Sequence, residues 1–333
     1  MKHAPWLLFL LLTALLAAAC SSPARRPAGN GGPTPPSPAS ASTPDPAASL
    51  SGPQRMKATV EALTGTPKAR NARNIEILDA VAADLSARIT RSGFSCRDQT
   101  FDVKGKTYRN VVCTGGADPE KGVWVVGAHY DVFGDLPGAD DNASGVAGLV
   151  ELAHRMGPHL ARLPFSLELV AYTLEEPPFF RTADMGSAHH ACELKKRGQP
   201  VLGMVCLEMI GFYSEANIQK VPVDALRFLL PKHANFIAAI ADVPSAGLAE
   251  RFAAAMNRAG TLQALHLAVP AGIEGVDFSD HLNYWNEGFK AFMITDTAFF
   301  RNANYHKDTD TADTLDYEKM AAVVDGLERL LLQ

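Results

Sequence analysis

Seven side chains in this sequence, His129, Asp131, Asp141, Glu175, Glu176, Glu208 and His306, are of the types that hold metal ions and move protons. Each closes an apolar run or lies in the turn just after one. Their settings read GAHYD, GADDNASG, AYTLEEPP, VCLEMIG and NYHKDTDTADTLD. Imidazoles combined with carboxylates are a donor set that zinc accepts. Asp131 stands two residues beyond His129 on an extended segment, so it lies on the same side and can accept the second imidazole N–H. Glu175 and Glu176 are neighbours at a strand end, and their side chains diverge. One can bind metal while the other faces a metal-activated water, whose pKa falls to about 7, and takes its proton during attack on a carbonyl. Charge favours two ions: Asp141, Glu176, Glu208 and one bridging hydroxide neutralise two zinc ions, whereas a single zinc would leave the cluster negative. His154, His159, His189, His190, His233 and His266 lack comparable company and read as ordinary structural histidines.

Positioning such residues requires strands that end together. A helical stretch through residues 69–91 is followed by two β-like runs, FSCRDQTFDV and TYRNVVCTG, separated by Lys104-Gly105-Lys106. GVWVVGAHYD, FSLELVAYTL, PVLGMVCLEMIGF and FKAFMITDT read as further strands. Between and after them, the run from Ala143 through Leu152, TADMGSAHHACELKKR, GLAERFAAAMNRAG and LDYEKMAAVVDGLERLLL carry helical spacing. Alternation of this kind predicts an α/β fold with a mixed, largely parallel central sheet and helices on both faces. Ligands gather at the carboxyl ends of such strands, where His129, Glu175, Glu176 and Glu208 lie.

The 333 residues, 47% hydrophobic and 20% charged, suffice for a large core, and a net charge of −5 without basic clusters argues against a nucleic-acid partner. Residues 1–20 have the layout of a secretory signal: Lys2 and His3, an apolar run, and Ala17, Ala18 and Ala19 before Cys20. The triplet and Cys20 resemble a bacterial lipobox. Export is therefore expected, with a lipid on Cys20 and a place at the outer membrane or the periplasmic face of the cell envelope. Residues 21–55, rich in Pro, Ala and Ser, read as a disordered tether, which leaves residues 56–333 for the folded domain. Cys96, Cys113, Cys192 and Cys206 are even in number, as disulfides in an exported chain would be. The hairpin could bring Cys96 near Cys113, but three pairings stay open.

In their order, GAHYD, GADDNASG, TLEE, LEMIG and YHKDTDTADTLD resemble the motifs of the two-zinc (co-catalytic) aminopeptidase family of metallopeptidases, over about residues 57–333. That resemblance implies a three-layer sandwich of the phosphorylase/hydrolase-like type. It implies two Zn2+ per chain, with Asp141 bridging through a cis bond to Asn142, His129 and Glu208 on one ion, and Glu176 and His306 on the other. Glu175 would be the general base, and Tyr305 would donate to the developing oxyanion. The substrates implied are peptides with a free N-terminus, cleaved by a zinc-bridging hydroxide.

Two departures stand out. The segment PPFFRTADMGS exceeds the family's usual turn and could form a lid or pocket wall, and Glu208 replaces the more usual Asp. Asp280-His281 resembles a further motif, read here as structural or pocket-lining. Phe179, Phe180, Tyr284, Trp285, Phe299 and Phe300 lie near the motifs and could line an apolar pocket. The rival readings are a glutaminyl cyclase, a single-zinc acyltransferase of related fold, and a non-catalytic binding ectodomain.

Overall fold

In a computed structural model, which describes residues 49–333 apart from residues 229 and 271, eight strands form one mixed sheet. They are β1 (Ser95–Val103), β2 (Lys106–Gly116), β3 (Val123–His129), β4 (Ser166–Tyr172), β5 (Val201–Glu208), β6 (Ile237–Ala241), β7 (Ala264–Ala268) and β8 (Ala291–Thr295). The spatial order is β1-β2-β4-β3-β5-β8-β6-β7. The central run β4-β3-β5-β8 is parallel and β6 pairs with β7 in parallel, while β1-β2, β2-β4 and β6-β8 are antiparallel. The expected mixed, largely parallel sheet is therefore what the chain forms.

Every residue of β3 and β4 is buried, as in strands covered on both faces. Trp124, Val126 and Ala128 enter one core, and Val123 and Val125 enter the other. On the first face pack α1 (Gly52–Thr64), α3 (Gly145–Met156) and α7 (Tyr317–Leu331), in mutual contact, and α5 (Ala246–Ala259) against α7. The same core takes in α2 (Ile75–Arg91), whose Leu78, Leu85 and Ile89 face β1 and β2. The opposite face is covered by α4 (Gly186–Lys196) and α6 (His281–Asn286).

Several boundaries differ from the sequence reading. The first helix begins at Gly52, so residues 52–55 belong to the folded unit rather than to a tether. The segment expected to be helical from residue 69 turns helical only at Ile75. There Arg70 is buried, and its guanidinium donates to the carbonyls of Leu63, Tyr130, Pro137 and Gly138, a role that holds the chain in a loop. The strands β6 (IAAIA) and β7 (ALHLA) were not anticipated. The expected signal peptide, Cys20 and most of the expected tether lie outside the described residues. Among the described residues, no helix is long and apolar enough to cross a membrane.

The β1-β2 hairpin turns at Lys104 and Gly105, both at positive φ, and sets Cys96 opposite Cys113. These two form a disulfide. Cys206 is a buried free thiol, so the second bridge that pairing would leave, to Cys192, does not form.

Candidate active site

His129 and Glu208 are the last residues of β3 and β5, which are neighbours in the sheet. Their side chains meet, with His129 Nε2 3.3 Å from Glu208 Oε2. Asp141 arrives from a turn of π-helical character, Ala139–Ser144, directly before α3, where its peptide bond to Asn142 is cis as the resemblance implied. One Asp141 oxygen, Oδ1, is 3.4 Å from His129 Nε2, and the other, Oδ2, is 3.0 Å from His306 Nε2. Glu176 Oε2 lies 3.4 Å from the same His306 nitrogen, and Glu175 Oε2 lies 3.8 Å from His129 Nε2. Six expected residues thus converge on one point at the carboxyl ends of the strands. Three overlapping groups, His129–Asp141–Glu208, Asp141–Glu176–His306 and His129–Glu175–Glu176, each bring their donor atoms within 4.8 Å of one another.

Asp131 joins this assembly in a different way from the one expected. Its Oδ1 is 3.6 Å from His129 Nδ1, long for a hydrogen bond, and the ring nitrogen instead approaches the Asp131 backbone oxygen at 3.2 Å. The carboxylate accepts from the backbone N–H groups of Glu175 and Glu176, at 3.2 and 3.1 Å. Asp131 therefore positions the paired glutamates and does not face the reaction centre.

Asp310 does the same for the other acidic pair, accepting from the N–H groups of Asp140 and Asp141. Asn142 spans to the strand end, donating to Leu207 O and accepting from Met209 N–H. Ser279 donates to Glu208 Oε2 at 2.7 Å. His306, at positive φ, is flanked by two rings, Phe133 at 4.1 Å and 3° and Tyr305 at 3.9 Å and 15°. Asp310, Ser279 and Phe133 were missed in the sequence. Only Asp310 left a signal there, as an acidic residue inside the NYHKDTDTADTLD run.

Gathering this many acids away from water has an electrostatic cost. Burial pushes the carboxyls of Glu175 and Glu208 up, and that of Glu176 up to about 8 with Asp141 adding to the effect. Burial opposes a charged imidazole, yet Glu175 and Glu208 outweigh it at His129, and Asp141 and Glu176 lift His306 to about 9. Asp141 moves the other way: despite burial, the two imidazoles facing it hold its carboxyl below the usual range. These protons offset negative charge that divalent cations would offset better. Glu176 Oε1 is buried without a hydrogen-bond partner, as a ligand atom facing a cation would be. The donor set fits zinc.

His281 is buried with Nε2 2.8 Å from the Val276 carbonyl oxygen, to which it can donate, and burial takes its pKa down to about 4. His190 lies deep in the second core against Tyr284 and Glu168, and His189 stacks on Phe101. Neither reaches the acidic cluster. Of the aromatic residues near the motifs, Phe299 and Phe300 line an apolar cavity that reaches Glu208 and Tyr305. Ile240, Val276, Phe278 and Met293 form other parts of its wall. Tyr284 is instead a core residue, and Trp285 hydrogen-bonds the Ala291 carbonyl. Phe179 belongs to a second cavity, beside Glu176 and Asp131.

Residues 110–331 match the model of Peptidase family M28, an interval that includes every residue of the cluster. The Escherichia coli K12 protein described as uncharacterized protein YfbL is 42% identical over 289 residues, covering 84% of this chain and 87% of its own length. Among solved structures, the LapA aminopeptidase of Legionella pneumophila superposes with a TM-score of 0.67 at 19% identity, covering 84% of this chain and 71% of that one. A glutaminyl cyclase of Porphyromonas gingivalis superposes with a TM-score of 0.63 at 18% identity, covering 84% and 97%. At such identities the structural likenesses speak for the fold alone, which both activities share. The sequence match spans two thirds of the chain and the whole acidic centre, and on that ground the chain belongs to Peptidase family M28.

Proposed function

We propose that the chain is a two-zinc aminopeptidase that releases N-terminal residues from peptides. The observation that carries this reading is the placement of Asp141, whose two oxygens face two separate histidine and carboxylate pairs. His129 and Glu208 would hold one ion, Glu176 and His306 the other, with Asp141 between them. Bound zinc would polarise the scissile carbonyl and acidify water.

The chain's own groups account for the remaining chemistry. Glu175 is left over from ligation, and burial raises its proton affinity, which suits a group that takes a proton from the attacking water and returns it to the leaving amine. Tyr305 stacks on His306, and burial together with the cluster's acids keeps its hydroxyl protonated, able to donate to the developing oxyanion. Glu175, outside the ligand set, adds negative charge that favours a substrate bringing an ammonium, which is what a free N-terminus supplies. The apolar cavity beside Glu208 and Tyr305 would take that residue's side chain.

A panel of peptides with free, acetylated and glutaminyl N-termini tests this. Free peptides should release their first residue, acetylated ones should stay intact, and chelation should abolish release. Loss of ammonia from glutaminyl peptides without chain cleavage would instead establish a cyclase.

A further inference from the structure

The segment after the paired glutamates, residues 177–185, contacts the segment before α6, whose Phe278 lines the apolar cavity. Its Arg181 guanidinium lies 4.8 Å from the centre of the Phe278 ring and 5.4 Å from that of Phe180, and it pairs with the Asp277 carboxylate. Phe180 and Phe278 also meet edge to face at 5.6 Å, and Phe278 touches Phe299. Three consecutive residues of the receiving segment thus have three separate contacts: Asp277 with Arg181, Phe278 with the apolar cavity, and Ser279 with Glu208. On its own side, Arg181 is fixed by its backbone N–H to the Met185 sulfur and by the neighbouring turn from Thr182 to Phe179.

We propose that Arg181 sets which N-terminal residue the site accepts, by holding Phe278 as the outer wall of a cavity shaped for a large apolar side chain. The proposal rests on the aminopeptidase reading. A guanidinium can do both at once, lying within cation–π reach of two rings while pairing with a carboxylate. Releasing it frees Phe278 to move, and a cavity with a mobile wall loses contact with a bulky substrate side chain far more than with a methyl group. Arg181 touches none of the proposed metal ligands among the contacts described, so it acts on selection through Phe278 and is a positioning residue.

The test compares kcat and KM for phenylalanyl and alanyl amides in the zinc-loaded wild type, Arg181→Ala, Arg181→Lys and Phe278→Leu, with zinc content measured in each. The wild type should favour the phenylalanyl compound. Arg181→Ala should lose about ten-fold in kcat/KM for it, chiefly through KM, and several-fold less for the alanyl compound. Phe278→Leu should show the same selective loss, and Arg181→Lys should recover part of it by keeping the charge beside Asp277. Equal losses on both substrates, or a wild type that favours alanine, overturns the proposal while leaving the aminopeptidase reading intact. A zinc-loaded wild type that cleaves neither compound overturns both.

Discussion

At the scale of single residues, the two adjacent glutamates carry the most demanding part of the account, since their side chains must do different work. Glu176 pairs with Asp141 across His306, whereas Glu175 lies 3.8 Å from His129 Nε2, farther than Asp141 or Glu208 does. Glu175→Gln keeps the shape and removes the proton acceptor, so zinc content should hold while kcat falls by roughly 10² to 10⁴. Glu176→Gln should instead weaken zinc binding. A Glu175→Gln enzyme of normal rate, or one that loses zinc as readily as its neighbour, contradicts the division.

The two histidines also differ in how they are held. His129 is buried with Nδ1 near the Asp131 carbonyl, while His306 is partly open and clasped between Phe133 and Tyr305. Groups that orient a ligand ring commonly matter ten- to a hundred-fold in metal affinity. Phe133→Ala should therefore loosen one zinc by about that factor in competition with a chelator, leaving the other unchanged, and Phe133→Tyr should bind normally. Unaltered affinity for both ions in Phe133→Ala would show that the stacking is incidental. The clustered acids and imidazoles were legible in the sequence because each sits in a short run of distinctive residues at a strand end or in a turn. Phe133 and Ser279 were not, because each acts on a partner more than 70 residues away and carries no chemistry of its own.

At the scale of elements, strand ends place much of the acidic cluster, and helices pack behind the strands. Glu151 of α3 is buried between Arg55 of α1 and Arg155 of its own helix, at 2.7 and 2.8 Å. This joins α1 to the helix whose first turn follows Asp141. Burial alone would raise the Glu151 carboxyl, but the two guanidiniums outweigh it and hold the group below its ordinary value. Its contribution to stability is therefore complete above the ordinary glutamate range and is lost as pH falls through the lowered folded value. Glu151→Gln should cost about 2 kcal/mol at neutral pH, allowing for partial solvent access to both arginines, and the difference from wild type should shrink in acid. A urea midpoint that is unchanged at pH 7 would contradict this. The strands with long apolar runs or an obvious turn were readable from their pattern. The segments IAAIA and ALHLA were not, because short alanine-rich stretches carry no period, and only pairing with β8 and with each other makes them strands.

At the scale of the whole molecule, one sheet with a core on each face brings residues from 129 to 306 into a single centre at its carboxyl edge. Alternating strands and helices made this architecture predictable, and the order of the motifs pointed to the family that residues 110–331 match. The ion count could not be had from fold, since peptidases and cyclases share it. Everything in the proposed mechanism depends on that count, because Asp141 would serve two cations and only a second ion would give Glu176 and His306 a role. The decisive measurement is a zinc titration of metal-free protein that follows bound metal per chain and release of an N-terminal residue in the same samples. The account predicts that activity reaches its plateau only as the second zinc per chain is bound. Full activity at one zinc per chain, with no second ion taken up, would contradict it.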